Sequence, residues 1–240
     1  DLAQDTGLPR DFVSHPVRRY GFHGLSCEYV LDWFQSQGPE QLPSRLIVAH
    51  LGSGASATAI LNGQSVDTTM GLTPVSGLPM ATRSGDIDFG AALYVAENLD
   101  MTVCALRKLL NENAGLSGLS GLSGDMHELI ERAAEQPSAR DAVDYFCYHT
   151  AKHIAGLTVP LGGLDGIVFT GGIGAGSTEI RERICQRLTH FGLDMLSDWL
   201  PYRVYDEGAK LYRNARSKGF VLEVTPLIGA DERTGEILGQ

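Results

Sequence analysis

Basic residues are scarce in this chain. Nineteen Lys and Arg stand against 29 Asp and Glu, a formal net charge of −10 over 240 residues. A balance this acidic excludes a nucleic-acid surface and argues against docking on acidic membranes. No apolar stretch reaches the roughly 20 residues needed to cross a bilayer. The N-terminus also lacks a basic-then-apolar leader pattern. Cysteine is thin as well: Cys27, Cys104, Cys147 and Cys185 lie far apart, with no CxxC and no His at zinc-finger spacing. They read as buried thiols of a reducing compartment, so the expected location is the cytoplasm. Also missing are a G-x-S-x-G elbow at a strand–helix junction, an HExxH helix and a Walker A lysine. Those absences exclude a serine hydrolase, a zincin and a P-loop enzyme. Hydrophobic residues make up 43% of the chain, enough for a substantial core.

What the chain does have is two glycine turns, each behind an apolar run. The first, His50-Leu51-Gly52-Ser53-Gly54, follows Leu46-Ile47-Val48-Ala49 and leads into Thr58-Ala59-Ile60-Leu61. Asn62-Gly63 then separates that run from Gln64–Asp67, which predicts a hairpin because both residues tolerate positive φ. The second turn, Gly171-Gly172-Ile173-Gly174-Ala175-Gly176, follows the β-branched run Gly166–Thr170. Beyond it Ile180, Ile184, Leu188 and Phe191 recur at helical spacing. Strand, glycine turn and helix start form a place where backbone N–H groups can approach a phosphate. A Rossmann site is the rival reading, but glycines on every second residue do not fit G-x-G-x-x-G. A tight turn with no ligand is the plain alternative for either segment.

The order of elements predicts an α/β fold. A three-strand meander is expected over 46–69, helices at 90–99 and 102–111 with Thr102 as cap, then helices at 126–135 and 139–156. The last strand is expected at 220–224. Residues 70–89 have no period and read as an ordered functional loop. The triplets Gly115-Leu116-Ser117, Gly118-Leu119-Ser120 and Gly121-Leu122-Ser123 read either as a connector or as an ordered loop beside a ligand.

Two side chains could carry chemistry. His23, in Tyr20-Gly21-Phe22-His23-Gly24, is held by glycines and can donate to a charged oxygen, or it is simply packed on a turn. Arg83, in Thr82-Arg83-Ser84-Gly85-Asp86, suits a transferring phosphoryl group, or it pairs with Asp86 or Asp88. The two aspartates themselves read as turn formers.

Five segments in order, RRYGFHG (18–24), HLGSGAS (50–56), DTTMGLTPVSGLPMATRSGDID (67–88), GLSGLSGD (118–125) and FTGGIGAGS (169–177), resemble the acetate kinases. That resemblance implies a ribonuclease-H-like mixed sheet flanked by helices, of the actin/hexokinase-like kind. It implies reversible phosphoryl transfer between ATP and acetate, giving ADP and acetyl phosphate, with Mg. Propionate or butyrate are alternative acids, and a non-catalytic nucleotide-binding and dimerisation module is an alternative role. Position by position, it makes His23 and Arg83 the groups that stabilise the transferring phosphoryl. It makes Phe22 and Pro74 walls of the acid pocket. It assigns His50, Leu51, Gly52, Ser53 and Gly54, then Asp125, Met126 and His127, then Gly172, Ile173, Gly174, Ala175 and Gly176 to the nucleotide. Glu232 is the match for a magnesium-linked acid. The resemblance further implies that residues 1–240 correspond to the second, dimer-forming domain of the family, its first domain, with an N-x-G-S-S-S loop, having no expected counterpart in these residues. Ser53, Ala175, Gly176 and His127 depart from the residues usual at those positions.

Overall fold

The computed structural model describes residues 2–9, 17–194, 211–214 and 219–223. One mixed sheet organises them, in the order β3-β2-β1-β4-β7-β6-β5. The meander comes first: β1 (Arg45–Leu51), β2 (Ala55–Leu61) and β3 (Gln64–Thr68), paired antiparallel. Asn62 and Gly63 turn the hairpin with φ of 50° and 80°, as their side chains allow. Parallel to β1 lies β4 (Gly166–Thr170), and parallel to β4 lies β7 (Gly219–Glu223). Two strands absent from the sequence expectation, β5 (Leu193–Asp194) and β6 (Leu211–Asn214), extend the edge antiparallel. The order and sense of the first five positions are those of a ribonuclease-H-like core, so the expected fold class holds.

The alternation along β1 decides what covers each face. Ile47, Ala49 and Leu51 point into one apolar cluster, while Leu46 and Val48 point into another. The second cluster is closed by α1 (Gly24–Gln37), through Val30 and Phe34. Sequence reading gave no helix there, because only that i, i+4 pair is fully buried and the apolar stripe is narrow. The first cluster takes α4 (Gly115–Ser120), α5 (Met126–Arg132), α6 (Pro137–Leu161) and α8 (Thr178–Gln186). Alanines at 55, 57 and 59 on β2 and at 139, 142 and 151 on α6 keep that interface thin.

Between the meander and α4 lie α2 (Phe89–Asn98) and α3 (Val103–Glu112). Asp88 caps α2 by accepting from Gly90 N and Ala91 N, and Thr102 caps α3 by accepting from Ala105 N. The glycine-leucine-serine triplets are neither connector nor loop at their start. Residues 115–120 form α4, with Leu116 wholly buried. The glycine segment after β4 also differs from expectation: it is itself a short helix, α7 (Gly171–Gly176), and the longer helix starts at Thr178.

Candidate active site

β1 and β4 are adjacent and parallel, and it is beyond the C-terminal ends of such strands that open α/β sheets receive ligands. The residues that follow them meet there. A Cβ built on Gly52 would lie 3.8 Å from Gly172 N and 4.0 Å from His50 Nε2. A cavity of about 540 Å³ opens at this junction. Its wall includes Gly52 and Ser53 from the first turn, Met126 and His127 from α5 with its cap Asp125, and Gly172, Ile173 and Gly176 from α7. Three segments drawn from positions 52 to 176 of the chain thus share one wall.

The remaining nucleotide-assigned residues are placed otherwise. Leu51 is wholly buried in the core, and Gly174 is a packing glycine whose Cβ position lies 3.4 Å from the Leu51 Cβ. His50, Gly54 and Ala175 stand off the cavity wall. Glu232 lies outside the described residues. Residues not anticipated join the wall instead: Gly124, Ile130, Glu131, Ser177, Thr178 and Glu179. Among the charged groups there, Asp125, Glu131 and Glu179 are acidic and no Lys or Arg contributes. This wall therefore disfavours an anion, and the cationic group nearest the first turn lies on its other side.

That side holds His23 and Arg83. His23 precedes α1 with φ of 63°, a left-handed conformation uncommon outside glycine. A Cβ on Gly54 would sit 3.4 Å from His23 Nε2 and 3.4 Å from Arg83 Nη1. The absent side chain at Gly54 leaves the gap between an imidazole and a guanidinium open. Arg83 Nη1 donates to Pro74 O at 3.4 Å and touches Met80 Sδ at 3.5 Å, so Pro74 and Arg83 meet. The expected alternative of an ion pair with Asp86 or Asp88 is not what forms. Asp86 accepts from Gly77 N and faces His153, while Asp88 caps α2. Phe22, beside His23, keeps 39% of its surface exposed.

Hydroxyl groups orient both imidazoles, and sequence reading missed them. His23 Nδ1 lies 2.8 Å from Ser56 Oγ. His50 Nδ1 lies 3.0 Å from Ser26 Oγ and 3.1 Å from Thr170 Oγ1, which are 2.9 Å from each other. The two rings stack with centroids 4.3 Å apart. With both Nδ1 atoms occupied, both Nε2 atoms face the first glycine turn. Position was the available signal: Ser56 follows Gly54 by two residues and so shares its side of the strand.

Burial, and then the nearby Arg83 charge, lowers the His23 pKa. Burial, and then His23, lowers that of His50 to about 4. Both rings are neutral at pH 7 and each carries one N–H. Because an unfolded His50 protonates near 6.5, the unfolded state binds more protons between pH 6.5 and 4. Stability is therefore full above pH 6.5 and falls as pH drops toward 4. After discounting for the partial exposure of the ring, His50 contributes about 2 kcal/mol of that fall. Urea unfolding at stepped pH should show the slope, and His50→Asn should flatten it; an unchanged slope would mean the ring is solvated.

The model of the acetokinase family matches residues 2–218. The chain is 44% identical over 198 residues to acetate kinase 1 of Neisseria meningitidis, covering 81% of this chain and 50% of that protein. It is 48% identical over 202 residues to propionate kinase of an Enterobacter species, covering 81% and 50%. The crystal structure of Porphyromonas gingivalis acetate kinase superposes with a TM-score of 0.84 at 33% identity, over 93% of this chain and 56% of that one. The chain thus spans about half the length of the relatives it matches. With a family match over most of its residues and the same fold as a solved acetate kinase, the chain belongs to the acetokinase family.

Proposed function

We propose that this chain supplies the nucleotide-binding side of a carboxylate kinase that interconverts ATP and acetate with ADP and acetyl phosphate. The observation that carries the reading is the gap at Gly54, flanked at 3.4 Å by His23 Nε2 and Arg83 Nη1. A phosphoryl group passing through that gap would meet a guanidinium on one side and, on the other, His23 Nε2, which is the N–H donor in the tautomer where Ser56 donates to Nδ1. Phosphoryl transfer needs this kind of positioning and charge stabilisation, with little covalent chemistry from the protein. The adenosine end fits the neighbouring cavity, whose glycine walls let a flat base approach closely. Among the described residues no cluster of three His, Cys, Asp or Glu forms a metal site. Mg²⁺ in this reading arrives on the nucleotide, held chiefly by phosphate oxygens and water.

Propionate is the second acid the reading admits, because the Enterobacter relative at 48% identity is a propionate kinase. We assign residues 1–240 to the family's second domain. Because the chain spans about half the length of its relatives, turnover by this chain alone is expected to be negligible. Homodimer formation is the expected association. It is supported by the exposed apolar residues Phe89, Leu93, Tyr94, Leu99 and Val103 on α2, α3 and the turn between them.

Calorimetric titration with Mg·ATP and Mg·ADP tests the nucleotide reading. A Cβ at Gly172 would meet nothing within 4 Å, so a side chain can start there without meeting its neighbours, and Gly172→Trp adds bulk at the cavity wall. Saturable binding by the parent chain, lost in that variant, is the expected result. No binding by a folded parent chain would overturn the reading.

A further inference from the structure

The glycine segment behind β4 should not hold its shape unaided. α7 has six residues, four of them Gly, and each Gly costs about 1 kcal/mol in a helix relative to Ala. Isolated helices of this length do not form in water. Yet Gly172, Ile173 and Gly176 make one wall of the cavity. Arg181, on α8, is the group positioned to fix that wall. It is 2% exposed and heads the largest fully buried side chains among the described residues. Its Nη1 donates to Gly174 O at 2.8 Å and to Ala175 O at 2.7 Å, and its Nη2 donates to Thr178 Oγ1 at 2.9 Å. The two carbonyls belong to the last turn of α7, where C=O groups lack intrahelical partners and a cation is favoured.

Burying a guanidinium is costly, and an apolar side chain of similar volume would fill the same space at lower cost. Packing alone therefore does not account for Arg181. Its fork does what an apolar chain cannot: it ties two successive carbonyls of α7 to the first turn of α8. We propose that Arg181 is a positioning residue for nucleotide binding, holding Gly171–Gly176 in the conformation that lines the cavity. It is buried and is not among the residues that line the cavity, so it acts through α7 and not on the ligand directly. The proposal rests on the nucleotide reading of the cavity given above.

The test compares the 240-residue chain with its Arg181→Met, Arg181→Lys and Gly172→Trp variants. Mg·ATP affinity, amide exchange and urea midpoint are read for each. If loss of the fork leaves about a tenth of the molecules with a competent wall, the apparent Kd rises about tenfold. Arg181→Met is expected to show that rise, with faster exchange concentrated in residues 171–177. Arg181→Lys is expected to recover only part, because an ammonium cannot span both carbonyls and the hydroxyl in one plane. If Arg181→Met does not fold, the Lys variant carries the test alone. Affinity within twofold of the parent in a folded variant, or exchange raised evenly across the chain, would show a purely structural side chain and overturn the proposal. Failure of the parent itself to bind Mg·ATP would instead overturn the nucleotide reading, and this proposal with it.

Discussion

Replacing Arg83 by Ala is expected to lower ATP- and acetate-dependent acetyl phosphate formation by about 10³-fold, with the fold intact. The assay requires a protein in which this chain is completed to the length of its relatives. Two structural facts separate the chemical role from a structural one. The contacts of the guanidinium are long, 3.4 Å to Pro74 O and 3.5 Å to Met80 Sδ, and among the described residues no carboxylate pairs with it. Truncation therefore removes little that stabilises the loop, and the change in unfolding free energy should stay within about 1 kcal/mol. What it removes is a planar donor 3.4 Å from the open position at Gly54, facing His23 Nε2. Arg83→Lys should recover little, because a point charge lacks the two-pronged geometry that matches phosphoryl oxygens. A loss under tenfold would make Arg83 a loop-packing residue and move the phosphoryl path elsewhere.

Local chemistry made much of the fold legible and little of the site's detail. The meander could be read because Asn62-Gly63 determines its own turn and the flanking runs alternate or stay apolar. Thr102 could be read as a cap because its contact with Ala105 N spans three residues. The hydroxyls at the histidines could not be read this way. Ser26 reaches Thr170 across 144 positions, and nothing in either neighbourhood announces the other. The same holds for Arg181, which looks like one more charge on an amphipathic helix until α7 is placed over it. His23 and Arg83 stood out only as residue types in glycine-rich loops. Their union around Gly54 is a property of the fold, made by a loop from each side of the sheet's end. Composition misled at α4: Gly, Leu and Ser suggest a linker, whereas long-range hydrogen bonds make the segment a helix.

Those long-range bonds lead to the second large effect. Gly115→Ala is expected to destabilise the chain by about 3 kcal/mol or more, and to impair catalysis through Arg83. The start of α4 is clamped on the loop that carries the arginine. Ala114 N donates to Thr82 O at 3.0 Å, Leu116 N to Met80 O at 2.8 Å and Ser117 N to Ala81 O at 2.9 Å. Gly115 sits in the middle of this clamp with φ of 60°, where an L side chain is strained. A Cβ there would lie 2.2 Å from Met80 O and 2.5 Å from Arg83 O, so backbone must move on one side or the other. The same family of triplets provides the control. Gly121, at the end of α4, has φ of 65° but a Cβ there would meet nothing within 4 Å. Gly121→Ala should therefore cost only the conformational strain, about 1 kcal/mol. Urea unfolding of the two variants isolates the clash from the backbone term. Equal losses would show that the clamp yields freely, and that α4 does not set the position of Arg83.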